Sequence, residues 1–302
     1  MPALEGKVAI VTGAGRGIGR GHARLLAAEG ARVVVNDLGG AVEGSGSDAT
    51  PAQQVVQEII DAGGEAVVNG DDVATWDGAQ ALVAQAVDTF GALHILVNNA
   101  GILRDKMCFN MDESDWDAVI RVHLKGHFAP SRFAASYWRE QAKAGTPTTG
   151  RIINTSSESG LFGNAGQTNY DAAKAGIASM TLAMARELDR YGVTVNAIAP
   201  RARTRMTEDL FQMNTEEAGF DYYDPENVAP TVAWLASDAA SSVTGCVFIV
   251  GGGDVYLVQN FTPTNHVSKA SRWTVAELVA EQERLMAGAP AGVPPRSPLE
   301  TP

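Results

Sequence analysis

The chain has 302 residues, 45% of them hydrophobic and 32 of them glycine, with a formal charge of −12. That length can bury a substantial core and suits one large sheet-and-helix domain with a tail. The acidic balance argues against non-specific nucleic-acid binding, which needs a basic footprint. Cys108 and Cys246 share no metal-ligand spacing, and two thiols in so long a chain point to a reducing compartment. No signal-peptide pattern precedes the first apolar run, and no apolar run approaches membrane-spanning length. The expectation is a cytoplasmic protein with no metal, no membrane and no nucleic acid among its partners.

Lys7–Thr12 is a short, β-branched-rich run of the kind that forms a buried parallel strand. It leads into Gly13-Ala14-Gly15-Arg16-Gly17-Ile18-Gly19, and Arg20–Gly30 reads as a helix with a glycine stop. Glycines at that junction allow a tight turn and let the backbone approach a pyrophosphate, which the helix N-terminus then holds. The next strand, Ala31–Asn36, ends at Asp37. An acid there either accepts hydrogen bonds from the adenosine ribose hydroxyls, favouring NAD over NADP, or simply ends the strand. Arg16 points the other way, since a basic residue in this turn suits a 2′-phosphate.

Residues 38–51, rich in glycine and serine, read as a mobile loop, followed by a helix over 52–62 and a strand over 65–70. Asp71-Asp72-Val73 comes next, then a helix over 75–90 and a strand over 94–97 running into Asn98-Asn99-Ala100-Gly101. Small residues at that strand's C-terminal edge fit close passage past a cofactor. Residues 112–143 are read as mostly helical, 151–156 as a strand presenting Ser157, and 167–190 as a helix carrying Tyr170 and Lys174. A strand over 193–199, a helix from Asp224 to about Ser237 and a last core strand over 246–250 complete the alternation. This pattern predicts an α/β fold, a doubly wound, mostly parallel Rossmann sheet in a single domain over 1–254. Residues 255–302 form a C-terminal extension, helical over 274–286 and disordered over 287–302.

Tyr170 and Lys174 are four residues apart, so a helix puts the ammonium beside the phenol one turn away. A positive neighbour draws a phenol of ordinary pKa ~10 toward working pH. Tyr170 is therefore a candidate proton carrier for a hydroxyl or carbonyl, with Ser157 as hydrogen-bonding partner of the same oxygen. The alternative is a surface pair.

Thr12-Gly13-(x)3-Gly17-x-Gly19, Asn98–Gly101, Ser157 and Tyr170-(x)3-Lys174 together resemble the motif set of the short-chain dehydrogenase/reductase family over about residues 5–254. Within it, Asn36–Gly40, Gly101–Asp105 and Arg121–Gly126 are similar to the (3R)-hydroxyacyl-CoA dehydrogenase domain of multifunctional enzyme type 2. Ile198–Thr204 is similar to actinobacterial relatives implicated in sterol side-chain breakdown. The resemblance implies hydride transfer between NAD and a secondary alcohol, with Ser157, Tyr170 and Lys174 as catalytic residues. Lys174 would also anchor the nicotinamide ribose, Asp72 would accept from the adenine amino group, and Thr204 would contact the nicotinamide carboxamide. The implied cofactor contacts are Thr12, Gly13, Gly15, Arg16, Gly17, Ile18, Gly19, Asp37, Asp72, Val73, Asn99, Ala100, Gly101, Tyr170, Lys174, Pro200 and Thr204.

Two positions depart from the family pattern. His123 stands where asparagine is usual. It either joins the proton relay, for which its ordinary pKa suits it, or is a packed helix residue whose backbone does the asparagine's work. Arg201 replaces a glycine, and Thr204 comes one residue early. Arg201, Arg203 and Arg205 either bind the phosphates of a CoA thioester or pair with nearby acids such as Glu208 and Asp209.

The substrate walls are expected in 102–110, 159–168 and 204–223. Phe211, Met213, Phe220, Tyr222 and Tyr223 make the last apolar enough to cover a lipid-like substrate, either a 3-hydroxyacyl-CoA or a hydroxysteroid. Met107, Phe109 and Met111 either line its mouth or fill core gaps. An NADPH-dependent 3-oxoacyl-ACP/CoA reductase and a non-catalytic dinucleotide-sensing regulator are the competing readings. The helices carrying Trp116 and Tyr170, with Phe128, Phe133, Ala134, Ile177, Met180 and Leu188, are expected to pair across a two-fold axis as a homodimer or homotetramer.

Overall fold

The computed structural model describes residues 2–203, 220–259 and 261–289, in which strands and helices alternate. The strands are β1 (Val8–Thr12), β2 (Arg32–Asn36), β3 (Ala66–Asn69), β4 (Ile95–Asn98), β5 (Arg151–Thr155), β6 (Thr194–Pro200), β7 (Val247–Gly251) and β8 (Asp254–Val258). They form one sheet in the order β3-β2-β1-β4-β5-β6-β7-β8, parallel throughout except for the β7–β8 pair. The helices are α1 (Gly17–Ala28), α2 (Thr50–Asp61), α3 (Trp76–Phe90), α4 (Glu113–Ile120), α5 (Gly126–Lys143), α6 (Glu158–Phe162), α7 (Thr168–Leu188) and α8 (Ala229–Ala236).

Side chains alternate across each strand, so each strand feeds two cores. Ala9, Val11, Val33 and Val35 pack with Leu26 of α1, Ile59 of α2 and Leu235 of α8. Val8, Ile10 and Val34 pack on the opposite face with Leu82 of α3, Trp138 of α5 and Leu188 of α7. Covering both faces is what lets these strands be continuously apolar. The chain runs outward from β1 through β2 to β3, then crosses back to place β4 on the other side of β1. The crevice where the order reverses, at the C-terminal strand ends, is where such sheets bind ligands.

Several expectations change. The helix expected over 112–143 is interrupted by a π-helical turn at Arg121–Lys125, which carries His123. Residues 158–162, not foreseen as helical, form α6. The glycine-rich segment after Asp37, read as mobile, is tied back by main-chain bonds: Leu103 N–H donates to Val42 O and Asp48 N–H to Leu38 O, each at 3.0 Å. The sheet runs past the boundary expected at residue 254, because β8 continues to Val258, and the chain divides after that residue. Beyond it, α9 (Val275–Ala280) starts at a capping box between Thr274 and Glu277, and α10 (Gln282–Leu285) follows. The disorder expected toward the C-terminus falls mainly on 290–302, outside the described residues. Of the apolar residues assigned to a dimer face, Phe133, Ala134, Ile177 and Leu188 are buried within the chain, Met180 is half-buried and Phe128 is exposed.

His22 on α1, His127 on α5 and His123 are buried, and burial pushes all three below the usual histidine value, His22 and His123 to about 3. Unfolded imidazoles take up protons near pH ~6.5. Between that value and about 3 the unfolded chain holds more protons than the fold, so stability is fully present above the window and lost as the pH falls through it. Each histidine removes about 1.4 kcal/mol per pH unit there. The urea midpoint should therefore drop steeply between about pH 7 and about pH 5; equal midpoints would show that these rings do not stay neutral in the fold.

Candidate active site

The floor of the site is the junction of β1, α1 and β4. The Thr12 hydroxyl accepts from the Asn99 and Ala100 amides at 2.9 and 3.1 Å, and the Asn99 side-chain amide donates to Thr12 O and Gly13 O at 3.1 and 3.0 Å. These bonds tie the glycine turn to the end of β4. Gly13 has a positive φ of 62°, and a Cβ there would lie 2.8 Å from Ala100 Cα, so only glycine fits. Asp37, just past β2, accepts from Gly15 N–H at 2.7 Å and from Gly39 N–H at 2.6 Å. Asp72 pairs with Arg121 at 2.8 Å and caps Ala74 N–H at 2.9 Å.

A cavity of about 290 Å³ opens over this floor. Gly13, Arg16, Gly17, Ile18, Gly19, Asp37, Asp72, Val73, Asn99, Ala100, Gly101 and Pro200 line it, as do Ser157, Tyr170, Lys174 and His123. Thr12 and Gly15 do not reach the cavity; both act from behind, Thr12 on β4 and Gly15 on Asp37. The first amides of α1 lie outside its hydrogen-bond ladder and carry the positive end of its dipole. With the Asp37 carboxylate beside them, these donors and this acceptor fit a pyrophosphate and a ribose diol. Thr204, Arg205, Glu208, Asp209, Phe211 and Met213 lie outside the described residues.

The opposite wall is built by β5 and α7. Tyr170 and Lys174 share a face of α7, with the ammonium 5.4 Å from the phenol ring centroid. Lys174 Nζ donates to Thr155 O at 2.6 Å, and Ser156 Oγ donates to Lys174 O at 2.9 Å, which binds α7 to the end of β5. Ser157 lines the same cavity beside the phenol and works to lower its pKa. The pair does not lie on the open surface: Lys174 is buried, Tyr170 is half-buried, and both line the cavity.

The electrostatics differ from expectation. Burial pushes the Tyr170 phenol up to about 12, with the Ser157 hydrogen bond working against it and the Asp105 and Asp171 charges adding to it. Burial likewise lowers Lys174 to about 7. Desolvation outweighs the attraction between the pair, because taking either charge out of water costs more than a neighbour at this range returns.

His123 Nε2 lies 2.7 Å from Ile102 O and 3.0 Å from Ile102 N, while Nδ1 is buried and unpartnered. Its ring meets Tyr170 edge-on at 5.1 Å. A neutral ring with one nitrogen held by backbone accords with the packed reading and offers a relay no second partner among the described residues. Arg201 and Arg203 do pair with acids, Glu158 and Asp221; Glu208 and Asp209 lie outside the described residues. Met107 and Phe109 are exposed and lie off the cavity.

The sequence reading missed the strap Leu38–Gly44, which lines the cavity through Leu38, Gly40, Ala41, Val42 and Gly44, with Ile102 beside it. Arg104 Nε donates to Glu43 O at 3.0 Å, helping to hold the strap there. Composition marked the segment as irregular, and nothing local marked its partners.

A family model described as short chain dehydrogenase matches residues 7–215. The crystal structure of a short chain dehydrogenase from Mycobacterium avium is similar with a TM-score of 0.86 and 52% identity, covering 97% of this chain and 98% of that one. The hydroxyacyl-CoA dehydrogenase ChsB1 of Mycobacterium tuberculosis is 49% identical over 294 residues, 94% of this chain and 90% of that protein. The peroxisomal multifunctional enzyme type 2 of Mus musculus is 43% identical over 250 residues, 83% of this chain and 32% of that protein. The chain belongs to the short-chain dehydrogenase/reductase family, oxidoreductases of CH–OH groups that use a nicotinamide dinucleotide.

Proposed function

We propose that the chain is an NAD-dependent dehydrogenase that oxidises the secondary alcohol of a 3-hydroxyacyl-CoA thioester, with Ser157, Tyr170 and Lys174 as its catalytic residues. The observation that carries this reading is the convergence of those three side chains on the wall of a cavity floored by the glycine turn and Asp37. Bound there, the dinucleotide supplies the hydride acceptor. Tyr170, ionised to the phenolate against the cost of its burial, takes the hydroxyl proton, and Ser157 holds the reacting oxygen as its charge changes. Lys174, fixed by Thr155 O, borders the same space and would hold the nicotinamide ribose. The likeness to proteins named as hydroxyacyl-CoA dehydrogenases favours a thioester over a hydroxysteroid.

Tyr170→Phe should reduce turnover by roughly 10²- to 10⁴-fold, the usual worth of a general base, with NADH affinity by fluorescence titration largely kept. Near-normal turnover would refute the assignment. The regulator reading, in which the fold binds dinucleotide and catalyses nothing, would instead be reopened if the unaltered protein formed no NADH from NAD and a panel of secondary alcohols.

The preference for NAD rests on Asp37, whose charge would face a 2′-phosphate. Like charges in contact cost several kcal/mol, so Asp37→Ala should raise NADP use relative to NAD by roughly tenfold or more. Absolute NAD affinity should fall as well, because Asp37 also orders the Gly15 and Gly39 amides. An unchanged cofactor ratio would remove the argument against the NADPH-dependent reductase.

The substrate class is tested by catalytic efficiency. A 3-hydroxyacyl-CoA series should exceed a hydroxysteroid series in kcat/KM; the reverse order would reassign the substrate and leave the catalytic residues standing.

A further inference from the structure

A buried arginine stands where the family pattern has glycine, and the hydride-transfer reading gives it no task. Arg201 directly follows β6, and its side chain is only 9% exposed. Its Nε and Nη2 donate to the two carboxylate oxygens of Glu158 at 2.7 and 2.8 Å. This is the two-pronged geometry that a planar guanidinium offers and an ammonium does not. The far end of the arrangement is anchored too. Arg201 N–H donates to Val250 O at 2.7 Å, the Tyr222 phenol lies near the guanidinium, and the Tyr222 hydroxyl donates to Asp254 at 2.9 Å. The arginine therefore stands on the last residues of the sheet.

What it holds is the turn that carries Ser157. Glu158 is the first residue of α6, immediately after the serine, and α6 has only five residues. A single helical turn cannot keep its own geometry in water. Ser157 Oγ accepts from Ser159 N–H at 3.2 Å and lines the cavity beside the Tyr170 phenol, so a shift of this turn moves the hydroxyl against the phenol. The turn is braced on its other side as well. A Cβ at Gly160 would lie 2.5 Å from Lys174 Cβ, so α6 rests directly on α7 at the lysine.

We propose that Arg201 is a positioning residue, whose fork on Glu158 clamps the Ser157 turn between the sheet end and α7 and so sets the serine against Tyr170. This rests on the Ser157–Tyr170–Lys174 reading and adds to it a residue that touches neither substrate nor cofactor.

Arg201→Lys keeps the charge and loses the fork. It should raise amide hydrogen–deuterium exchange over residues 157–162 and lower kcat by roughly 10- to 100-fold, the scale of a misplacement near 1 Å. The NADH dissociation constant should stay within about twofold, since no phosphate-binding amide is disturbed. Glu158→Gln, which still accepts from the guanidinium, should retain more activity than Arg201→Lys; it also serves if the lysine protein does not fold. Unchanged exchange, or wild-type kcat despite faster exchange, would overturn the proposal. So would losses of kcat and NADH affinity that follow the unfolding midpoint in step. The exchange measurement needs no substrate, so a failure of the Tyr170→Phe test beside a clear exchange result would sink the catalytic assignment alone.

Discussion

Backbone contact between the end of β1 and the end of β4 is the constraint on which the site depends. Parallel pairing of Val11 with Val97 brings the two strand ends level. The Thr12 hydroxyl then takes both the Asn99 and Ala100 amides, and the Asn99 side chain returns the bond to Thr12 and Gly13. These groups are buried or half-buried, and leaving a buried donor or acceptor unpaired costs about 1–3 kcal/mol each. The closure leaves no room for a side chain on Gly13, and it aims the start of α1 into the crevice. Asp37 inherits its place from the same closure, because the Gly15 amide it accepts from belongs to the turn so held. Sheet register, turn and helix dipole form one device.

At the wall that carries Tyr170 and Lys174 the deciding effect is desolvation. Tyr170 at about 12 and Lys174 at about 7 have moved from ordinary values of 10.0 and 10.5, in the directions that disfavour charge on each. At about 1.4 kcal/mol per unit, those shifts correspond to a few kcal/mol each. Spacing alone gives the sign of the Tyr–Lys attraction but says nothing of burial, and burial sets the net result. Charge in this pair is therefore created against a resistance. The groups that reduce that resistance, Ser157 on the phenol and Thr155 O on the ammonium, contribute to the site in proportion to how well they are placed.

Much of the fold could be read along the chain because its signals are local. The β-branched runs, the glycine junction after Thr12 and the four-residue step from Tyr170 to Lys174 each lie within one element or one junction. What escaped is long-range. The π-helical turn at Arg121–Lys125 lies inside a continuous helical pattern, and α6 is obscured by Gly160 and Gly163 on a short segment. The strap after Asp37 looks like a glycine-rich linker, yet its partners sit about sixty residues away at Leu103 and Arg104. The arginine cluster shows the same limit. Three basic residues close in sequence suggested a ligand, but Arg201 and Arg203 turn to acids 43 and 18 residues away.

The substitution at His123 follows a similar logic on a smaller scale. An imidazole is larger than the asparagine common in the family, and in this packed interior the extra volume must be found somewhere. It is found at Gly101: a Cβ there would collide with the imidazole Cε1 and lie 3.1 Å from Nδ1. The Gly101–Ile102 backbone can therefore run against the ring, and Ile102 meets Nε2 through its own main chain. The ring's other contact is edge-on to Tyr170, so the histidine packs against the phenol. A neutral aromatic ring suits that task better than a titrating one, because a charge at this position would oppose Lys174 across the same small cavity. Its lowered pKa is then a consequence of the packing role.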